Sequence, residues 1–309
     1  MAVTPFVVCL TLSSISLLTT SLYFFATPES LQARQTSRTD WGRWGPPTAE
    51  FNWCEPDYPP GFYFIAEPWN TFTSLLYCLS AFLAFRLNSS FLSRPLLLIL
   101  LFISLIGIGS ALFHGSLLYS TQLLDEIPMA YLVFAAAHLL YARGQPRPSA
   151  TRALAPYLIA ASAAAMTVLL WTADSGPLFT ATRGFLTLSF TFCFIFIFSV
   201  GAKLSKEVRE AGGSGEDVTF LFELAFWSFV LAILAWVLDI VCCPLLQSLP
   251  LGLPYPHLHA LGWHLFSAFG LYFIFLTLAV HDCRVTRGQD VCIKYGWLPA
   301  IQRARRNVD

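Results

Sequence analysis

From residue 66 to residue 281 the chain is a succession of apolar runs, each about 20 residues long and parted by short polar stretches. A helix that crosses a bilayer needs about 20 mostly apolar residues. Runs at roughly 66–86, 95–118, 122–142, 153–173, 178–201, 218–242 and 257–281 therefore predict seven transmembrane helices. One more apolar run covers about 5–26. The connections are short, so consecutive helices must be antiparallel neighbours. The expected fold is all-α: a polytopic membrane protein, a seven-transmembrane-helix bundle with an extra N-terminal hydrophobic helix or signal segment. Composition agrees. Charged residues make up 12% and hydrophobic residues 56% of the chain, against about 25% and 45–50% in soluble domains. With 18 basic and 18 acidic residues the chain is electrically balanced. That excludes a nucleic-acid binder, and the apolar content excludes disorder.

The chain divides into four parts: 1–26, a retained anchor or a cleaved signal; 27–65, a polar segment; 66–285, the helical core; and 286–309, a tail. Met1–Pro5 has no side-chain charge, and Phe24 sits poorly at the −3 position before Ala26. Both features favour an anchor over a signal peptide. Basic residues set the orientation. If 27–65 is lumenal, 14 of the 18 Lys and Arg, from Arg86 to Arg306, fall on the cytosolic side. The C-terminus is then cytosolic. Cys54 and the pair Cys242–Cys243 fall on the lumenal side, where a disulfide is permitted.

Polar groups inside a membrane are costly and usually functional. Here they gather at one edge. The second core helix ends in Gly107-Ile-Gly-Ser-Ala-Leu-Phe-His114. Ser110 and His114 are spaced i, i+4 and share a face, and Gly107 and Gly109 permit a neighbour to come close. The next helix opens with Gln122-Leu-Leu-Asp125. The last helix opens with His257-Leu-His259-Ala-Leu-Gly-Trp263-His264. Topology brings these three helix ends to one depth. Three His with an open fourth position form a catalytic zinc pattern, and zinc makes hydroxide available near pH 7. Asp125 beside it can move protons, and Ser110 can support an oxyanion.

Other polar residues carry plainer expectations. His138 and His281 are read as hydrogen-bonded interior residues. His257 lies nearly two turns before His264, about 10 Å of rise, too far to share its metal. The segment Asn52-Trp53-Cys54-Glu55-Pro56-Asp57, with Glu67 further on, offers oxygens for a hard cation such as calcium; a solvated acidic loop is the simpler reading. Glu67 resists that reading, because an unpaired carboxylate at a membrane edge is costly. Glu223 and Asp239 are read as packing or substrate-contact groups. The phenylalanines of 178–201 are read as packing or lipid-facing.

These stretches together resemble the alkaline ceramidase family, seven-helix zinc amidases of the endoplasmic reticulum and Golgi. The resemblance rests on Asn52–Tyr58 (NWCEPDY), Ile65–Thr71 (IAEPWNT), Gly107–His114 (GIGSALFH), Gln122–Met129 (QLLDEIPM) and His259–His264 (HALGWH). It covers about 50–285, without the leading segment or the tail. It implies that His114, His259 and His264 hold zinc, that Asp125 is the general base and acid, that Ser110 supports water or oxyanion, and that Trp263 lines the pocket. It further implies a calcium site from Asn52, the Trp53 carbonyl, Glu55, Asp57 and Glu67, and a disulfide between Cys54 and Cys243. The implied reaction is hydrolysis of the ceramide amide to a sphingoid base and a fatty acid, with the substrate taken from the bilayer.

The sequence departs from the family at the last two histidines. They stand i, i+5 rather than the usual i, i+4, which in a regular helix turns them about 140° apart. A π-bulge would restore a common face; otherwise His259 precedes the regular helix, or the metal site is lost. The calcium loop carries Asn52 and Asp57 where the family has Asp and Asn, one extra residue precedes Glu67, and Pro68 replaces an aromatic. Two other functions fit the scaffold. A non-catalytic lipid sensor or receptor is opposed by the presence of Ser110 and Asp125. A proton-coupled transporter is opposed by the gathering of polar groups at one edge, since transport sites lie near the midplane.

Overall fold

The computed structural model describes residues 41–143, 150–172, 176–210, 215–249 and 255–304. The anticipated anchor or signal at 1–26 lies outside them. The described residues form long helices: α1 (Pro68–Asn88), α2 (Arg94–Ser116), α3 (Tyr119–Arg143), α4 (Ala150–Thr172), α5 (Gly176–Glu210) and α6 (Gly215–Val241). A short α7 (Cys243–Gln247) follows. The last long helix, α8 (Leu258–Thr286), is α-helical over Leu265–His281 and π-helical at both ends, Leu258–His264 and Asp282–Thr286. All seven anticipated apolar runs thus fall on long helices. Among the described residues three helices, Arg94–Ser116, Val218–Val241 and Leu258–Thr286, are long and apolar enough to cross a membrane.

Large apolar side chains lie on the outside of the helices as well as in the interior. On α1 the outward residues are Trp69, Phe72, Leu75, Leu79, Phe82 and Phe85, while Asn70, Ser74, Tyr77, Ala81 and Ala84 are buried. A contiguous exposed apolar face marks a surface that meets lipid or another protein, and small residues let helices approach inside. The interior is filled by Ile99, Ile103 and Ile106 of α2, Phe198 of α5, Phe226 of α6 and Phe275 of α8. The two glycines of α2 mark its close approaches. A Cβ on Gly107 would come 2.7 Å from Cys78 Sγ of α1, and one on Gly109 would come 2.0 Å from the Leu124 carbonyl oxygen of α3. Each glycine therefore seats a different neighbour, and Ser110 follows directly between the two.

The end of the bundle where α2 finishes and α3 begins is covered by the loop 41–67. Chain turns at Leu117, which adopts the left-handed conformation (φ 55°) while fully buried. The last carbonyls of a helix need outside donors. The loop supplies them: Ala66 N–H donates to Gly115 O (2.9 Å), Glu67 N–H to His114 O (3.0 Å), and Thr48 and Ala49 N–H to Leu117 O. A disulfide joins Cys54 to Cys243, across 189 residues of sequence. At the opposite end the segment read as a tail forms an antiparallel hairpin, β1 (Val291–Lys294) with β2 (Ala300–Arg303), in register Val291↔Arg303. Val291, Ile293 and Ile301 are buried against the bundle. Asn88 at the end of α1 accepts the Ile301 N–H (2.8 Å), and Tyr272 of α8 donates to Pro299 O (2.6 Å).

Candidate metal centre

His114, His259 and His264 converge. Each is buried, and each offers a ring nitrogen within 4.8 Å of the others. Tetrahedral ligands at about 2.0–2.1 Å from a metal lie about 3.4 Å apart, so small ring movements bring the three into register. The π-helical opening of α8 is what makes this possible. Its ladder repeats every five residues rather than four, so His259 and His264 fall on one side, with ring centroids 4.7 Å apart. His257, which precedes the π-turn, is left-handed (φ 50°) and its ring faces Trp69 and Tyr255 instead.

Hydrogen bonds fix which nitrogen is offered. Thr73 of α1 donates its hydroxyl proton to Trp69 O (2.7 Å). Its oxygen can then only accept from His264 Nδ1, 2.8 Å away. That tautomer leaves the lone pair on His264 Nε2, which is buried without a hydrogen-bond partner. His114 Nδ1 is 2.6 Å from Glu67 Oε2, an acceptor that turns Nε2 inward in the same way. His259 Nδ1 is also buried without a partner. Orphaned imidazole nitrogens are costly; a bound metal cation satisfies them, and the Glu67 and Thr73 contacts match the outer hydrogen bonds that orient metal-ligating His. The residues therefore fit a metal ion. The His259 ring is further held by Trp53, stacked at 3.8 Å, and faces Trp263 at 6.3 Å.

Ser110 lies between α1 and α3. It accepts a hydrogen bond from Ser74 Oγ (3.1 Å) and bonds the Asp125 carboxyl. Asp125 is half-buried at the start of α3. The neighbouring Glu126 is engaged elsewhere, pairing with Arg183 of α5 and accepting from Gln122 (2.8 Å). Arg183 also pairs with Glu50 of the covering loop.

The loop carboxylates gather beside the His cluster. Glu55 accepts the Trp69 and Asn70 N–H groups at the start of α1, both at 2.8 Å. Glu67 accepts from Trp53 N–H (3.3 Å) and from Asn70 Nδ2 (3.1 Å). Asn52 Nδ2 donates to Asp57 Oδ2 (3.0 Å), leaving the buried Asn52 Oδ1 without a hydrogen-bond partner. Asp57, Glu55 and Asp239 all press on Glu67 with like charge. Burial, reinforced by Asp239 and Asp57, pushes the Glu55 carboxyl up to about 7 against the two backbone donors. An orphan amide oxygen among crowded carboxylates is a donor set suited to a hard cation.

The ceramidase family model matches residues 45–302. The chain belongs to the ceramidase family. The matched span takes in every site residue described above and nearly all of the C-terminal hairpin. Among relatives of this chain, dcd3A of Dictyostelium discoideum is 27% identical over 286 residues, 82% of this chain and 92% of that one. Alkaline ceramidase YPC1 of Saccharomyces cerevisiae is 43% identical over 91 residues, covering 29% of this chain and 28% of the yeast protein. Alkaline ceramidase 3 of Mus musculus is 38% identical over 91 residues, covering 29% and 34%.

Four contributions to this site are not apparent from the sequence alone. Thr73 was unremarkable among the hydroxyls of α1. Ser74, one residue on, reaches Ser110 from α1. Trp53 was singled out for its carbonyl, yet its ring stacks on His259. Asp239, read from the sequence as a packing or substrate-contact group, binds backbone groups of both the loop and α8.

Proposed function

We propose that this chain hydrolyses the amide bond of ceramide-type lipids, giving a sphingoid base and a free fatty acid. What carries the reading is the set of three buried His, with ring nitrogens within 4.8 Å of one another, inside a ceramidase-family chain. His114, His259 and His264 would hold zinc, which supplies a Lewis acid and activates water near neutral pH. Asp125 takes the proton from the attacking water and returns it to the leaving nitrogen, so that the C–N bond breaks to a carboxylic acid and an amine. Once Asp125 carries that proton, the Ser110 hydroxyl, still seated by Ser74, is free to turn and support the developing oxyanion. Trp263 would line the reaction pocket. Asn52, the Trp53 carbonyl, Glu55, Asp57 and Glu67 would hold calcium, bracing the loop against α1 rather than reacting.

The seven long helices form a membrane-spanning bundle in this reading. The large apolar side chains outside α1 would face lipid, and the substrate would enter from the bilayer. The distribution of basic residues supports a lumenal loop 41–67 and a cytosolic hairpin; residence in the endoplasmic reticulum or Golgi follows from the family resemblance. An i, i+5 His spacing that broke the metal site would favour a sensor. A π-turn that aligns His259 with His264 removes that support, and the Ser110–Asp125 pair favours chemistry.

The test is hydrolysis of a fluorescent ceramide in detergent micelles by native protein, by chelated protein with zinc returned, and by His264→Ala. The expected result is turnover that zinc restores and the variant lacks. One equivalent of zinc with no turnover would favour the sensor.

A further inference from the structure

The geometry points to Asp239 as the residue that positions the metal ligand His259, by capping α8 from a neighbouring helix. The inference rests on the reading of His114, His259 and His264 as metal ligands.

The first N–H groups of a helix have no partner within it, and a side-chain oxygen at the N-cap normally satisfies one of them. At α8 the N-cap is His257, and its side chain makes no such bond. The donor concerned belongs to His259, a metal ligand. Its N–H goes instead to Asp239 Oδ1 (3.2 Å), from the last turn of α6. The Tyr255 hydroxyl, which leads into α8, donates to the same oxygen. The other oxygen, Oδ2, accepts the Cys54 N–H of the covering loop (3.1 Å). Asp239 is fully buried, near one end of a helix long and apolar enough to cross a membrane. A carboxylate in that setting is kept only where several donors compensate it. A carboxylate is also the group best suited to the positive end of a helix.

The consequence is specific. The π-turn that aligns His259 with His264 begins at the backbone Asp239 grips, and the ring of His259 is fixed on its far face by Trp53, from the same loop Asp239 holds. Removing the carboxylate frees the His259 backbone and the loop carrying its stacking partner together, while no atom of the ligand set is altered. Gln247 provides the comparison. Its Nε2 donates to Cys54 O (2.7 Å), so it holds the same loop peptide without touching α8.

The experiment measures zinc affinity by competition with a chromophoric chelator, and the visible absorption of the cobalt-substituted protein, on purified full-length chain. Asp239→Ala should raise the zinc Kd at least tenfold, the scale on which outer hydrogen bonds act on metal sites, and should alter the cobalt bands. Asp239→Asn keeps the shape but leaves one of the two N–H groups without its acceptor, and should raise the Kd by a smaller factor, at least about threefold. Gln247→Ala should leave the Kd within twofold. An unchanged Kd in Asp239→Asn overturns the inference, whether or not Asp239→Ala purifies as a folded species. A Gln247→Ala loss as large as that of Asp239→Asn also overturns it, because loosening of the loop alone would then explain the effect. Native protein that binds zinc without hydrolysing ceramide sinks the proposed reaction and leaves this assignment standing on the Kd values. Native protein that binds no zinc sinks both.

Discussion

Glu67 holds His114 twice. Its backbone N–H donates to the His114 carbonyl (3.0 Å), and its Oε2 sits 2.6 Å from His114 Nδ1. The same side chain accepts from the Trp53 N–H and lies among the loop carboxylates. One residue is thereby shared between the His cluster and the acidic loop, and the two candidate ion sites are coupled through it. Glu67→Gln should weaken zinc binding by about 10–100-fold and weaken calcium binding in the same protein. Chelator competition for zinc and calorimetric titration of calcium check this; loss of calcium alone, with native zinc affinity, would show that the two sites are independent.

Thr73 has a narrower task. Its hydroxyl, committed to a backbone carbonyl, receives the Nδ1–H of His264. Thr73→Val removes that acceptor at nearly constant volume and leaves a buried N–H unpaired. Zinc affinity should fall about tenfold, with Thr73→Ser close to native. Equal behaviour of the two variants would place the role of Thr73 in packing.

Gly109 should not tolerate a methyl group. Its Cβ would stand 2.0 Å from the Leu124 carbonyl oxygen, next to Asp125. Overpacking of this kind costs about 1–3 kcal/mol, and relief requires α2 and α3 to move apart where Ser110 meets Asp125. Gly109→Ala should lower the thermal unfolding midpoint in detergent and reduce ceramide turnover at least tenfold, while Gly115→Ala, whose Cβ meets only ordinary contacts near Thr71, leaves both near native.

Calcium affinity should depend on pH. Burial raises the Glu55 carboxyl from its usual 4.5 to about 7 in the metal-free protein. Between those values the folded chain holds a proton that the unfolded chain has released. Metal-free stability therefore falls as pH rises through that window. Calcium binds the ionised carboxylate and must displace the proton, so its affinity rises as pH increases toward 7 and levels off above it. Titrations from pH 5.5 to 8.5 in two buffers of different ionisation enthalpy should show proton release at the low end. Flat affinity across that range would remove Glu55 from the ligand set.

Much of this was legible in the sequence, for a physical reason. Apolar runs of bilayer length fix helix count and direction, and direction alone carries His114, Asp125 and the His259–His264 pair to the same end of the bundle. What escaped is contact between residues far apart in sequence. Thr73 and His264 are 191 residues apart, and nothing local distinguishes Thr73 from the hydroxyls that bond back into their own helix turns. The π-turn lay between the two cases. The i, i+5 spacing demanded something unusual, yet only the structure shows that the whole stretch Leu258–His264 adopts it. The hairpin escaped because its buried residues, Val291, Ile293 and Ile301, are too few to outweigh the polar residues around them.

The order in which the ribosome delivers these residues has its own consequence. Glu67, Thr73, Ser110, His114 and Asp125 are made early; Asp239, Cys243, His259 and His264 come last, with 150 positions between His114 and His264. At about 5–20 residues per second, roughly eight to thirty seconds of translation separate the two halves. During that interval the imidazole of His114 and the carboxylate of Glu67 wait without the partners that complete their surroundings, and Cys54 waits as a thiol. Closure of the Cys54–Cys243 disulfide and completion of the three-His cluster are therefore late events of synthesis, and a chain that stops before α8 lacks two of the three imidazoles.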